Sequence, residues 1–131
     1  MFLNLLDDKE KSAFSALAEK MIESDGIVVG REAATLGALR GEMGIGAEKS
    51  SDGSTVSSLA AAFADRRSKI VVLLELVGLG YSDTSFSGTE RSLVSDVARE
   101  MEIGADDLAR IESWVQGHMS HVRSAMVLMR E

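Results

Sequence analysis

Apolar residues recur along this chain at steps of three and four, the spacing of one helix face, and almost nowhere at the alternating step of a half-buried strand. The pattern predicts six helices. The first starts at Asp7 or Asp8, either of which can cap it, and runs to about Ser24 with a stripe of Phe14, Leu17, Ala18, Met21 and Ile22. The second spans about Gly30 to Met43 and buries Leu36, Leu39 and Met43. Gly44 and Gly46 mark its end with the unrestricted backbone a helix terminus favours. Lys49 to Ser54, KSSDGS, consists of turn-formers without an apolar anchor and reads as a linker.

A third helix, about Thr55 to Asp65, begins after a serine that can cap it. The fourth, Arg66 to about Tyr81, is apolar around most of its girth (Ile70, Val71, Leu73, Leu74, Leu76, Val77) and so belongs at the centre of a bundle. The fifth, about Ser87 to Met101, carries Leu93, Val94 and Val97. The last, from about Ala105 onward, is long and repeats apolar residues at Leu108, Ile111, Val115, Val122, Met126 and Met129. Proline is absent, and the whole predicts an all-α fold, a compact helical bundle.

Part of the pattern is written twice. The segment Met21 to Glu48 aligns without a gap to Gly80 to Asp107, in register from residue 22 onward at an offset of 58. Asp25 pairs with Asp83, Gly30 with Gly88, Glu32 with Glu90, Met43 with Met101 and Gly46 with Gly104. Each copy reads helix, acidic loop, helix, tight turn. The prediction is two pseudo-symmetric hairpins, about 12–48 and 70–107, packed about an approximate two-fold axis. A linking helix and the long C-terminal helix complete one domain over residues 1–131.

Composition narrows the function. The chain is 45% hydrophobic and 27% charged, as ordinary folded domains are. Its net charge of -7 repels phosphate backbones, and the densest cationic cluster, Arg66, Arg67 and Lys69, makes a poor groove reader; nucleic acid is not expected as a partner. A basic protein surface or a divalent cation suits this charge better. There is no cysteine, which removes disulfides, thiolate zinc sites and cysteine nucleophiles. MFLNLLDDKEK lacks the basic start and small-residue cleavage site of a signal peptide, and the apolar run Ile70 to Leu74 is stopped by Glu75, so no transmembrane segment is expected. These features predict a cytoplasmic protein.

Within each copy the fixed core is an aspartate, six residues and a glutamate: Asp25 to Glu32 and Asp83 to Glu90. A structural reading explains both. The aspartate accepts bonds from loop amides, and the glutamate complements the positive end of the helix it opens. The alternative is a divalent-cation site for calcium, magnesium or zinc, in which Asp25, Glu32, Asp83 and Glu90 supply the oxygen ligands that the hard cations calcium and magnesium prefer. An EF-hand is excluded, because its twelfth loop position falls on Leu36 and Val94. A cation would need ligands from both copies.

The segments AEKMIESDGIVVGREAATLGALRGEMGI and LLELVGLGYSDTSFSGTERSLVSDVAREMEIGADDL resemble the two halves of the TerB-like family, itself similar to the amino-terminal region of DjlA-type co-chaperones. The likeness covers roughly Phe14 to Trp114. It implies a bacterial, non-enzymatic scaffold or sensor linked to tellurite and other chemical stress, with metal binding proposed at the positions of Asp25, Glu32, Asp83 and Glu90. The chain departs from the family pattern at Thr84, where the first copy keeps Gly26, and at Ser24 and Ser82, where the family has alanine.

Other candidates carry less. His118 and His121 share a helix face but lack a third zinc ligand and a general base, and read as solvated or partly buried helix residues. GYSDT, from Gly80, lacks the second glycine and preceding strand of a nucleophile elbow. GEMGIG, from Gly41, lacks the lysine and strand of a phosphate loop. No catalytic set emerges. WVQGHMSHVRSAMVLMRE, which holds Trp114, Met119, Met126 and Met129, is read first as core packing. Its second reading is an adaptable surface for a protein partner or a homodimer.

Overall fold

The computed structural model describes residues 2–23, 55–81 and 88–130. A single 3-10 turn, Leu3–Leu5, precedes α1 (Asp8–Glu23), short α2 (Val56–Ala60), α3 (Arg66–Gly80), α4 (Gly88–Glu100) and long α5 (Ala105–Arg130). All regular structure among the described residues is helical, so the fold is all-α as predicted. The predicted second helix, the linker Lys49 to Ser54 and hence the comparison of the two hairpins lie outside the described residues.

Reciprocal bonds at Asp7 start α1. Its N–H donates to Glu10 Oε1 at 2.9 Å, and the Glu10 N–H donates to Asp7 Oδ1 at 2.8 Å. Two otherwise orphaned donors are satisfied at once. Of the two candidate caps, Asp7 is the one used. The face behind it buries Phe14, Leu17, Ala18 and Met21 as the spacing predicts. Ahead of the cap, Leu3 and Leu6 are also buried, and the Phe2 N–H donates to Glu75 Oε1 at 2.8 Å, tying the amino-terminal turn to α3.

The linking helix is shorter than predicted. It ends at Ala60, where Ala62 and Phe63 donate to the carbonyls of Leu59 and Ala60 in tight i→i+3 bonds. That tightening turns Phe63 into the core and leaves Asp65 to open α3. The cap is Thr55, whose Oγ1 accepts the Ser58 N–H at 3.1 Å; the serine proposed from the sequence lies outside the described residues.

Helix α3 occupies the centre, as its all-round apolar sequence predicts. It packs against the 3-10 turn, α1, α4 and α5, and Val72, Leu73, Leu76 and Val77 are fully buried. Arg66 at its start meets Asp107, and Tyr81 just past its end meets Gln116, so α3 and α5 run parallel. One core joins these residues to Val94, Val97, Met101, Ile111 and Val115.

Between α4 and α5 the chain reverses through a left-handed residue. Ile103 N–H donates to Ala98 O at 2.8 Å and Glu102 N–H donates to Arg99 O at 3.0 Å, a Schellman termination. Its left-handed position is Glu102, with φ of 60°. In the sequence repeat Glu102 aligns with Gly44, so glycine stands at this place in one copy and glutamate in the other.

Candidate functional site

Of the four predicted metal ligands, Asp25, Glu32 and Asp83 lie outside the described residues. Glu90 sits in the first turn of α4, 3% exposed. It is not left without a partner. Its place at the positive end of α4 is the one the structural reading requires. Among the described residues, no group of three or more histidine, aspartate or glutamate side chains could hold a metal ion.

The C-terminal helix departs from its predicted role. Leu108, Ile111, Val115, Met119, Val122, Met126 and Met129 follow one another at steps of three or four and form one continuous stripe. Its first part is packed: Ile111 and Val115 are buried, and Leu108 and Met119 are half-buried against the core. Its second part is not. Met126 is 56% and Met129 81% exposed, with Val122, Val127 and Leu128 exposed beside them. Core packing of this end is therefore overturned. The reason is length: α5 has 26 residues and its parallel neighbour α3 has 15, about 39 Å against about 22 Å. The last turns outrun the bundle that buries the first.

Charge divides the helix as well. From Ser113 to Arg130 it carries Arg123 and Arg130, the two histidines and no acid, on a chain whose net charge is -7. The half-buried His118 ring lies stacked on Trp114, with centroids 5.2 Å apart and planes 4° from parallel, while His121 is exposed. The Trp114 ring itself is partly solvent-facing and not the core residue expected.

Where α5 leaves the bundle, a polar network fixes it. Arg91 Nη1 donates to Glu112 Oε1 at 2.6 Å, and the Tyr81 hydroxyl accepts from Arg91 Nη2 at 3.1 Å and from Gln116 Nε2 at 2.9 Å. Burial works against the Arg91 charge, but Glu112 and the Tyr81 hydroxyl outweigh it and hold the guanidinium pKa above its ordinary value. The network ties α3, α4 and α5 together just before the uncovered turns. No helix of the described residues is long and apolar enough to cross a membrane.

Comparison with protein-family models, with curated proteins and with solved structures finds no match to this chain.

Proposed function

We propose that this protein is a non-enzymatic, cytoplasmic interaction module of the TerB-like type, acting in a bacterial stress response, with the outer half of α5 as its partner seat. The observation that carries the reading is the exposed stripe of Val122, Met126 and Met129. Contiguous exposed apolar surface marks interaction sites on folded proteins, and methionine-rich faces adapt to the partner that covers them. The three-four spacing suits a helix laid alongside. Arg123 and Arg130, with Glu131 as the one acid after Glu112, favour a partner helix with acidic flanks. A second copy of the chain would bring those arginines together, so the homodimer is the less favoured occupant.

Capture of partners from chemically stressed bacterial cells tests this, run in parallel with the wild-type chain and Met126→Glu/Met129→Glu. A partner held by the wild type and lost by the variant, at unchanged folding stability, is the expected result. Equal capture by both removes the proposed seat, and sedimentation of the purified chain decides whether a second copy takes it.

The other reading is a divalent-cation binder using Asp25, Glu32, Asp83 and Glu90. Burial of the Glu90 carboxylate is the observation in its favour. A melting temperature raised by millimolar calcium, magnesium or zinc and restored by chelator supports it, since a ligand of the folded state alone must stabilise that state. A melting temperature that does not move ends it.

A further inference from the structure

At the opposite end of α5 from Met129, a cavity of about 500 Å³ opens between α3 and α5. Its apolar surface comes from Ile70 and Leu74 on α3 and Ile111 on α5. Phe2 and Trp114 stand beside them, ring centroids 5.8 Å apart and planes tilted by 52°. The volume falls in the range of small-molecule sites, which combine an apolar body with a few placed polar groups.

The polar groups here gather at one end. Arg66 Nη2 lies 3.1 Å from Asp107 Oδ2, and Arg110 Nη1 lies 3.6 Å from Asp107 Oδ1. One carboxylate stands between two guanidiniums, so the charged lining is cationic by one. Each guanidinium offers five N–H donors; Asp107 accepts from one nitrogen of Arg66 and pairs with Arg110 by charge alone. Because α3 and α5 run parallel, their amino-terminal ends meet at this end of the cavity and add the positive ends of two helix dipoles. The nearby Asp65 carboxylate is engaged by the Ser68 hydroxyl.

We infer that this groove binds a small amphipathic monoanion. An acyl chain lies along Ile70, Leu74 and Ile111 beside the Phe2–Trp114 ring pair, and its carboxylate is received by Arg66 and Arg110. The inference is independent of the partner seat, which begins at Val122 and shares none of these residues.

Trp114 is the chain's single tryptophan, so its emission reports occupancy of the groove without a label. The full chain is titrated with decanoate below its micelle concentration, and with decanol as the uncharged counterpart. Decanoate should produce a saturable blue shift and bind about tenfold more tightly than decanol, the difference a charge-assisted pairing supplies. Arg66→Gln/Arg110→Gln should lose that tenfold for decanoate and leave decanol unchanged. Both side chains are exposed, so the variant should stay folded, with circular dichroism as the check. No emission change up to millimolar decanoate, equal binding of decanoate and decanol, or an undiminished double variant would each overturn the inference.

Discussion

Along α5, Ile111 and Val115 are 6% and 3% exposed, yet Met126 and Met129, on the same stripe, stand mostly in solvent. The two halves have the same secondary structure and the same apolar spacing, and differ in what lies beside them. In the first half α3 runs parallel, and the Arg66–Asp107 pair and the Tyr81–Gln116 bond mark where its ends meet α5. In the second half α3 has already ended, at Gly80. The difference teaches that periodicity specifies a face, while burial depends on a neighbour long enough to cover it.

Substitutions can separate the halves by their cost. Ile111→Ala should lose about 2–4 kcal/mol of unfolding free energy, the range for truncating a buried aliphatic side chain, whereas Met126→Ala should change it by less than about 0.5 kcal/mol. Denaturant titration measures both, and equal losses would erase the distinction. Next in size is the capping box of α1, which packs on the same α3: Asp7→Ala should lose about 1 kcal/mol by orphaning an α1 amide. A gain is expected at Glu102, the left-handed residue before α5. Glu102→Gly should add about 0.5–1 kcal/mol, because glycine relieves the Cβ conflict and returns part of that gain as unfolded-state entropy.

The smallest effect is one of pH and concerns α3, the helix that covers the buried half. The Ser68 hydroxyl bond is the main influence holding the Asp65 carboxyl below its usual value. A pKa depressed on folding gives stability that is complete above the unfolded value and is lost as pH falls through the lower folded one. The melting-temperature difference between wild type and Asp65→Asn should therefore be constant near neutrality and shrink on acidification. A difference that grows in acid would contradict the assignment.

Much of the fold was legible because its signals are local. Arg66–Gly80 and Gly88–Glu100 fall within a residue of the predicted ends, set by Asp65 ahead of one helix and the Schellman turn after the other. Leu3 and Leu6 escaped because two buried residues beside a single 3-10 turn have no period to detect. The linking helix was drawn too long because the run from Leu59 to Phe63 is apolar enough for a full helix, and nothing local says that Phe63 must turn inward. The left-handed Glu102 did leave a signal, its alignment with Gly44. The groove left none: Arg66 and Asp107 are 41 residues apart, and only the parallel packing of α3 and α5 brings them together. Of the four repeat carboxylates, Glu90 alone lies among the described residues, at a helix start that its position in the repeat predicts.

Amide hydrogen exchange along α5, recorded on the monomeric chain, tests the contrast most directly. Amides from Ile111 to Met119 should open only with global unfolding, whereas those from about Val122 onward should exchange orders of magnitude faster through local fraying. Protection continuing unbroken through Met129 in the isolated monomer would mean that the outer half is covered after all, and the partner seat would have to be abandoned.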